Sequence, residues 1–236
     1  MIDIHCHLLY GVDDGPDTLE ESCAMLDEAK RQGIRAIILT PHYRHGMFPY
    51  DTKVISRHFL KVREYAANLG IRVFLGTEYH IDSHCVEYME RRRCVPLANG
   101  GYILSEYSYH TEYTYIRNMT QELLSAGYTP VIAHVERYGC ITDEPDLLDE
   151  LRRMGALIQV NADSVLGLDG RSAKQFCKYA LKYDLVDVVA SDSHGITNRP
   201  CHMEKCRQHI QKKYGESTAF RLFEGTPKKI LQKPGE

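Results

Sequence analysis

Met1-Ile-Asp-Ile-His-Cys-His7 is a short apolar run that ends in two histidines one residue apart. Side chains in a strand repeat every second residue, so His5 and His7 point to one side, where two neutral imidazoles can share a metal ion. A lone His-x-His is weak evidence, because an ordinary polar strand end gives the same pattern. Its weight comes from what recurs along the chain.

Six more short apolar runs follow, at 36–39, 72–75, 102–104, 131–133, 157–160 and 186–190, separated by longer stretches of helical spacing. Thr18-Leu-Glu-Glu21 reads as a capping box opening a helix that carries Leu19, Cys23, Leu26 and Ala29 or Lys30 and stops at Gly33. Ile55, Phe59, Val62, Ala66 and Leu69 form a second stripe, closed by Gly70. Further helices are expected at 112–125, 144–154, 172–182, 200–214 and 217–223. Alternating strand and helix implies parallel strands with right-handed crossovers, hence an open α/β sheet or an α/β barrel. No Gly-x-Gly-x-x-Gly or Walker loop follows a strand, which argues against a nucleotide-binding sheet.

Ligand-type residues stand after every one of these seven runs. They are His5 and His7 with Asp13-Asp14-Gly15-Pro16, then His42, Glu78, Glu106, His134 with Glu136-Arg137, Asn161, and Asp192 with His194. In an α/β barrel the carboxyl ends of all strands face one rim, so these side chains would converge. Singly, each has an ordinary alternative, such as a satisfied core histidine or a helix-capping carboxylate. Seven coincident strand ends are hard to obtain that way. Five imidazoles and at least four carboxylates exceed the needs of one ion, so two or three are implied, and the mixed ligand set favours manganese, iron or zinc over calcium or magnesium. Without cations the carboxylates would repel and raise each other's pKa.

The 236 residues suit one domain of barrel size, read here as a single domain over 1–236, and a net charge of -3 gives no footprint for nucleic acid. Arg91-Arg92-Arg93 reads as a solvated surface. With no signal-like start and no apolar run of membrane length, the protein is expected to be cytoplasmic, and its eight cysteines, none spaced Cys-x-x-Cys, to be reduced.

Asp3-Ile-His-Cys-His7, Val12-Asp-Asp-Gly-Pro16, Pro41-His42, Gly76-Thr-Glu78, Ile132-Ala-His-Val-Glu-Arg-Tyr138 and Ala190-Ser-Asp-Ser-His194 with Arg199-Pro200 resemble the PHP superfamily. Within it they are most similar to the CpsB/CapC manganese-dependent protein-tyrosine phosphatases. The resemblance implies a distorted (β/α)7 TIM-like barrel with three Mn2+ ions, iron or zinc being alternatives. His5, His7, Glu78 and Asp192 would hold one ion, with Glu78 bridging to a second held by Glu106 and His134. Asp14, His42 and His194 would hold the third. Arg137 and Arg199 match the family's phosphate-binding arginines. The implied partner is a tyrosine-phosphorylated protein, an autophosphorylating bacterial tyrosine kinase of capsule or exopolysaccharide synthesis.

That chemistry fits the residues. A water shared by metals about 3.5–4 Å apart can attack phosphorus in line while cations and arginine forks neutralise the phosphoryl oxygens. Tyrosine, with a pKa of about 10, is a good leaving group among alcohols, so a strong general acid is less necessary; His42, His194 or a metal-bound water are the candidates. Segments 44–50 and 107–115 are candidate walls of a peptide cleft. His84-Cys-x5-Arg91 also matches the signature of cysteine-dependent phosphatases, as does the spacing of Cys201 and Arg207, but Val-Glu-Tyr-Met-Glu has no glycine and puts two acids where an anion must sit. Rival readings are a histidinol-phosphate or other small phosphomonoester phosphatase, an amidohydrolase, which would want a lysine where Glu106 stands, and a non-catalytic binding barrel.

Overall fold

The computed structural model describes residues 1–48, 50–91 and 93–232. Pro49, in the 44–50 stretch, and Arg92, in the basic run, lie outside the described residues.

The first half of the chain runs β1 (Ile2–Cys6), α1 (Leu19–Arg31), β2 (Ala36–Leu39), β3 (His42–Tyr43), α2 (Thr52–Asn68), β4 (Arg72–Leu75), β5 (Glu78–His80), α3 (Cys85–Glu90) and β6 (Tyr102–Glu106). The second half runs α4 (Tyr113–Ser125), β7 (Thr129–Ile132), α5 (Gly139–Asp143), α6 (Leu147–Met154), β8 (Leu157–Asn161), α7 (Ala162–Leu166), α8 (Arg171–Lys182), β9 (Val188–Ala190) and α9 (Met203–Tyr214). It closes with α10 (Glu216–Phe220), a π turn at Arg221–Gly225 and α11 (Thr226–Leu231).

The capping box forms as read: Glu21 N donates to Thr18 Oγ1 and Thr18 N to Glu21 Oε2. The buried face of α1 is Ser22, Met25, Leu26 and Ala29, so Leu26 and Ala29 of the expected stripe lie on it while Leu19 and Cys23 are half-buried and Ser22 and Met25 take their place. Ser22 hides that phase in the sequence, because its hydroxyl is satisfied by donating to Leu8 O at 2.7 Å. The helix expected from 144 starts at Leu147, after Pro145, and the one expected from 200 starts at Met203. The last expected helix, 217–223, is part of a longer helical run through α10, the π turn and α11.

All strand pairings are parallel, in the orders β1-β2-β4 and β3-β5-β6-β7-β8-β9. β3 and β5 extend β2 and β4 past interruptions at Thr40-Pro41 and Gly76-Thr77, and the end of β9 returns to β1, where Asp192 N donates to His5 O and His7 N to Ser193 O, both at 2.9 Å. The sheet is therefore curled. One apolar cluster, with Ile4, Ile38, Leu104, Val131 and Val188, fills the inside of the curl and is met by Ile230 of α11. A larger cluster lies between the outer face and the helices. Each such aliphatic side chain contributes roughly 1.5–3 kcal/mol by leaving water.

A bulge in β1 decides where the two histidines point. Asp3 pairs with Ile37 and Cys6 with Leu39, so β1 carries one residue more than β2 over this span. Ile2 and Ile4 lie in the inner cluster, whereas Cys6, two residues on, lies in the outer one. Strict alternation would put His5 and His7 on the face opposite Ile4; the extra residue turns them inward.

Candidate metal centre

The nine side chains expected as ligands come together at the carboxyl ends of the strands. His5 lies within the β1 bulge and His7 follows it, Glu78 opens β5, Glu106 closes β6, and His42 opens β3. His134 and Asp192 sit just past β7 and β9 at φ 32° and 52°, in the left-handed region that non-glycine residues seldom occupy. Such strain persists only where the surroundings hold it, and it concentrates at functional positions.

The tightest group is His5, His7, Glu78 and Asp192, all buried. His5 Nε2 lies 3.1 Å from His7 Nε2, 3.2 Å from Glu78 Oε2 and 3.3 Å from Asp192 Oδ1. His7 Nε2 lies 3.1 Å from Glu78 Oε2 and 3.5 Å from Asp192 Oδ1. Ligands about 2.1 Å from a common ion are separated by about 3.0–3.4 Å in octahedral or tetrahedral arrangements, so these four atoms fit one cation. Around Glu78, His134 Nε2 stands 2.8 Å from Oε1 and His42 Nδ1 3.1 Å from Oε2, with Glu106 3.9 Å from each of these imidazoles. Asp14 Oδ1 is 3.4 Å from His42 Nε2 and 3.3 Å from His194 Nε2. Both nitrogens of His42 thus face carboxylates, one in each group.

Four of these donor atoms, His42 Nδ1, Glu78 Oε2, Glu106 Oε2 and His194 Nε2, are buried without a hydrogen-bond partner. Buried polar atoms are seldom left so, and four in one cluster are what a set of cation ligands leaves when considered without its cations. The residues fit the implied metals.

The neighbouring side chains orient the candidate ligands. Asp13 Oδ2 is 2.9 Å from His7 Nδ1 and accepts from His42 N at 3.1 Å, leaving His7 Nε2 to the first group. Gln159 Oε1 meets His5 Nδ1 and accepts from His134 N, both at 3.0 Å. Gln159 Nε2 donates to Asn161 Oδ1, and Asn161 Nδ2 donates to Asp192 Oδ2, each at 2.8 Å. Arg137 Nη2 at 2.9 Å and Arg199 Nη2 at 2.8 Å reach the same Asp192 Oδ2, and Arg199 Nη1 is 3.8 Å from Asp14. The arginines therefore flank the cluster rather than forming surface pairs. Gly15 brings this loop close: a Cβ there would sit 2.3 Å from His7 O.

The charges follow from this packing. Burial alone would lower the pKa values of His5 and His7, but Glu78 with Asp192, and Asp13 with Glu78, outweigh it and raise both to about 9. Burial and the neighbouring His7 lower His194 to about 4. Burial, then Glu78, raises Glu106 to about 7. The expected mutual raising among carboxylates holds for Glu106 only. Glu78 and Asp192, pushed up by burial, are held below the usual range by the positive charges of His5 and of His42 or Arg137, and Asp14 is lowered by its hydrogen bonds with His194 and His42.

Sequence reading missed Gln159 and Asp13 as orienting groups; Arg44, Tyr107, Ser108 and Tyr109, from the two segments read as candidate cleft walls, border a cavity of about 700 Å³ beside Glu106, His134 and Arg137. Gln159 looks like any polar strand residue, and Asp13 is masked by the adjacent Asp14. The alternative nucleophile fails on geometry: Cys85 is buried at the start of α3, and burial, then Cys94, pushes its thiol pKa up. Cys201 and Cys206 are likewise buried with raised pKa values.

Fold and site together define a parallel α/β protein with a candidate multi-metal centre at the carboxyl ends of its strands. The family described as capsular polysaccharide synthesis, CpsB/CapC, matches residues 1–232, and the chain belongs to it. It is 39% identical to the tyrosine-protein phosphatase CpsB of Streptococcus pneumoniae over 238 residues, covering 98% of each chain. It is 32% identical to the tyrosine-protein phosphatase YwqE of Bacillus subtilis (strain 168) over 226 residues, covering 95% of this chain and 89% of that one. Among solved structures, it superposes with a TM-score of 0.91 at 31% identity, over 98% of this chain and 94% of the other, on one from a study of B. subtilis YwqE and S. pneumoniae CpsB, described as unique metal-dependent tyrosine phosphatases.

Proposed function

We propose that this chain is a metal-dependent protein-tyrosine phosphatase whose nine His, Asp and Glu side chains hold three divalent ions, manganese by preference, with iron or zinc as alternatives. The observation that carries the reading is the convergence of His5, His7, Glu78 and Asp192 at ligand-to-ligand spacing, with two guanidinium groups on the outer oxygen of Asp192. Relatives of similar length are tyrosine-protein phosphatases. Divalent cations bound there would supply Lewis acidity toward water and toward the phosphoryl oxygens.

The chain's own residues do the rest. Arg137 and Arg199 present planar forks suited to the tetrahedral oxygens of a phosphoryl group, and Asp192 keeps them aimed at the cluster before substrate arrives. Asp13 and Gln159 fix the ring orientations of His7 and His5. The tyrosyl leaving group, with a pKa of about 10, asks little of a general acid.

In this reading the strand set is the distorted (β/α)7 barrel of the PHP type, residues 1–236 form one catalytic domain, and the substrate is a phosphorylated bacterial tyrosine kinase in the cytoplasm. No helix among the described residues is long and apolar enough to cross a membrane. Phosphate release by metal-stripped protein reloaded with manganese, on a phosphotyrosyl peptide and on histidinol phosphate, tests the substrate. Preference for the peptide supports the reading; preference for histidinol phosphate replaces it with a small-metabolite phosphatase at the same site.

A further inference from the structure

The cavity beside the candidate metal centre is lined by Glu106, His134 and Arg137 and also by Arg44 and His80. Tyr109 lines it as well, and at 61% exposure it is the most exposed of the large hydrophobic side chains among the described residues. This ring is ordered without being buried. Gly139 N donates to Tyr109 O at 3.2 Å, and the ring lies over Gly139, where an added Cβ would come within 3.5 Å of it. His110 meets it edge-on, with centroids 4.8 Å apart and planes at 89°. Gly139 follows Arg137 by two residues, so the segment that carries the guanidinium also seats the aromatic ring.

Neither core packing nor a hydrogen bond accounts for Tyr109, since most of its surface is in water and its hydroxyl has no hydrogen-bond partner among the described residues. An exposed aromatic face open to a cavity lined mostly by charged and polar groups, where the other aromatic ring, Tyr107, is itself buried, is a place where a second ring can stack.

We propose that Tyr109 is a specificity-determining residue whose ring receives the aryl ring of the substrate while the phosphoryl group lies against Arg137. The inference rests on the phosphotyrosine reading above and adds to it the residue that separates aryl from alkyl phosphates. An alkyl ester would use the same phosphoryl site without the ring.

The test is calorimetric binding of phenylphosphonate and methylphosphonate, which cannot be hydrolysed, to the manganese-loaded wild type, Tyr109→Ala and Tyr109→Phe. Tyr109→Ala should weaken phenylphosphonate about tenfold and leave methylphosphonate unchanged, as loss of one stacking contact requires. Tyr109→Phe, which keeps the ring, should restore phenylphosphonate affinity. Equal loss for both ligands, or no loss for phenylphosphonate, would overturn the proposal. Turnover of a phosphotyrosyl peptide by the wild type is read separately: if it is absent while the ring effect is present, the function falls and the aryl site stands.

Discussion

Arg137 and Asp192 meet at 2.9 Å through the one carboxylate oxygen that does not face His5 and His7. Asp192 thereby joins two functions: Oδ1 looks into the candidate cation site, and Oδ2 aligns Arg137, Arg199 and Asn161. A guanidinium so placed is preorganised for an anion and costs little reorganisation when substrate binds.

Replacing Arg137 or Arg199 by lysine keeps the charge and loses the fork. Each substitution should lower kcat/KM for a phosphotyrosyl peptide by about 10- to 100-fold. Steady-state kinetics with metal content measured in parallel checks this, because full activity with lysine would show that the fork is not used.

The orienting groups should act on metal rather than on phosphate. Gln159→Leu and Asp13→Asn are each expected to weaken manganese binding by about 10- to 100-fold. Titration of stripped protein followed by atomic spectroscopy measures it, and unchanged affinity in both variants would remove these residues from the ligand scaffold.

Protons compete with the metals. In the metal-free protein His5 and His7 have pKa values raised to about 9, against about 6.5 when unfolded. Such a shift contributes stability that is fully present below about pH 6.5 and lost as pH rises through about 9. Thermal melting of stripped protein should therefore fall across that window, and manganese uptake near neutral pH should release protons. Calorimetry in two buffers of different ionisation enthalpy detects the release; identical heats would contradict it.

Gly15→Ala forces a methyl group against His7 O, which an added Cβ would approach to 2.3 Å. A loss of roughly 1–3 kcal/mol in stability is expected, by analogy with overpacking, together with weaker metal binding as Asp14 is displaced. Cys85→Ser, by contrast, should leave phosphatase activity intact, and loss of turnover in a folded Cys85→Ser protein would revive the thiolate mechanism.

The convergence of the candidate ligands was legible because each of them closes or follows an apolar run, a position where chemistry gathers on a parallel sheet. His5, His7, Glu78 and Asp192 were grouped from the family resemblance and stand grouped in the structure. What the sequence hid was local. β3 and β5 are two and three residues long and lie behind Pro41 and Gly76-Thr77, too short to show a period. The β1 bulge leaves no compositional mark, yet it turns His5 and His7 inward. Short helices such as α5 and α7, five residues each, carry no resolvable stripe. Gln159 became visible only when its amide was seen between His5 and Asn161.

The most direct test is phosphate release from a phosphotyrosyl peptide by wild type and Glu78→Gln, each stripped of metal and then titrated with manganese. Glu78 touches His5, His7, His42 and His134, so the variant should remain inactive at manganese concentrations that restore the wild type from zero. Undiminished turnover by the stripped wild type, or full restoration of Glu78→Gln, would contradict the account.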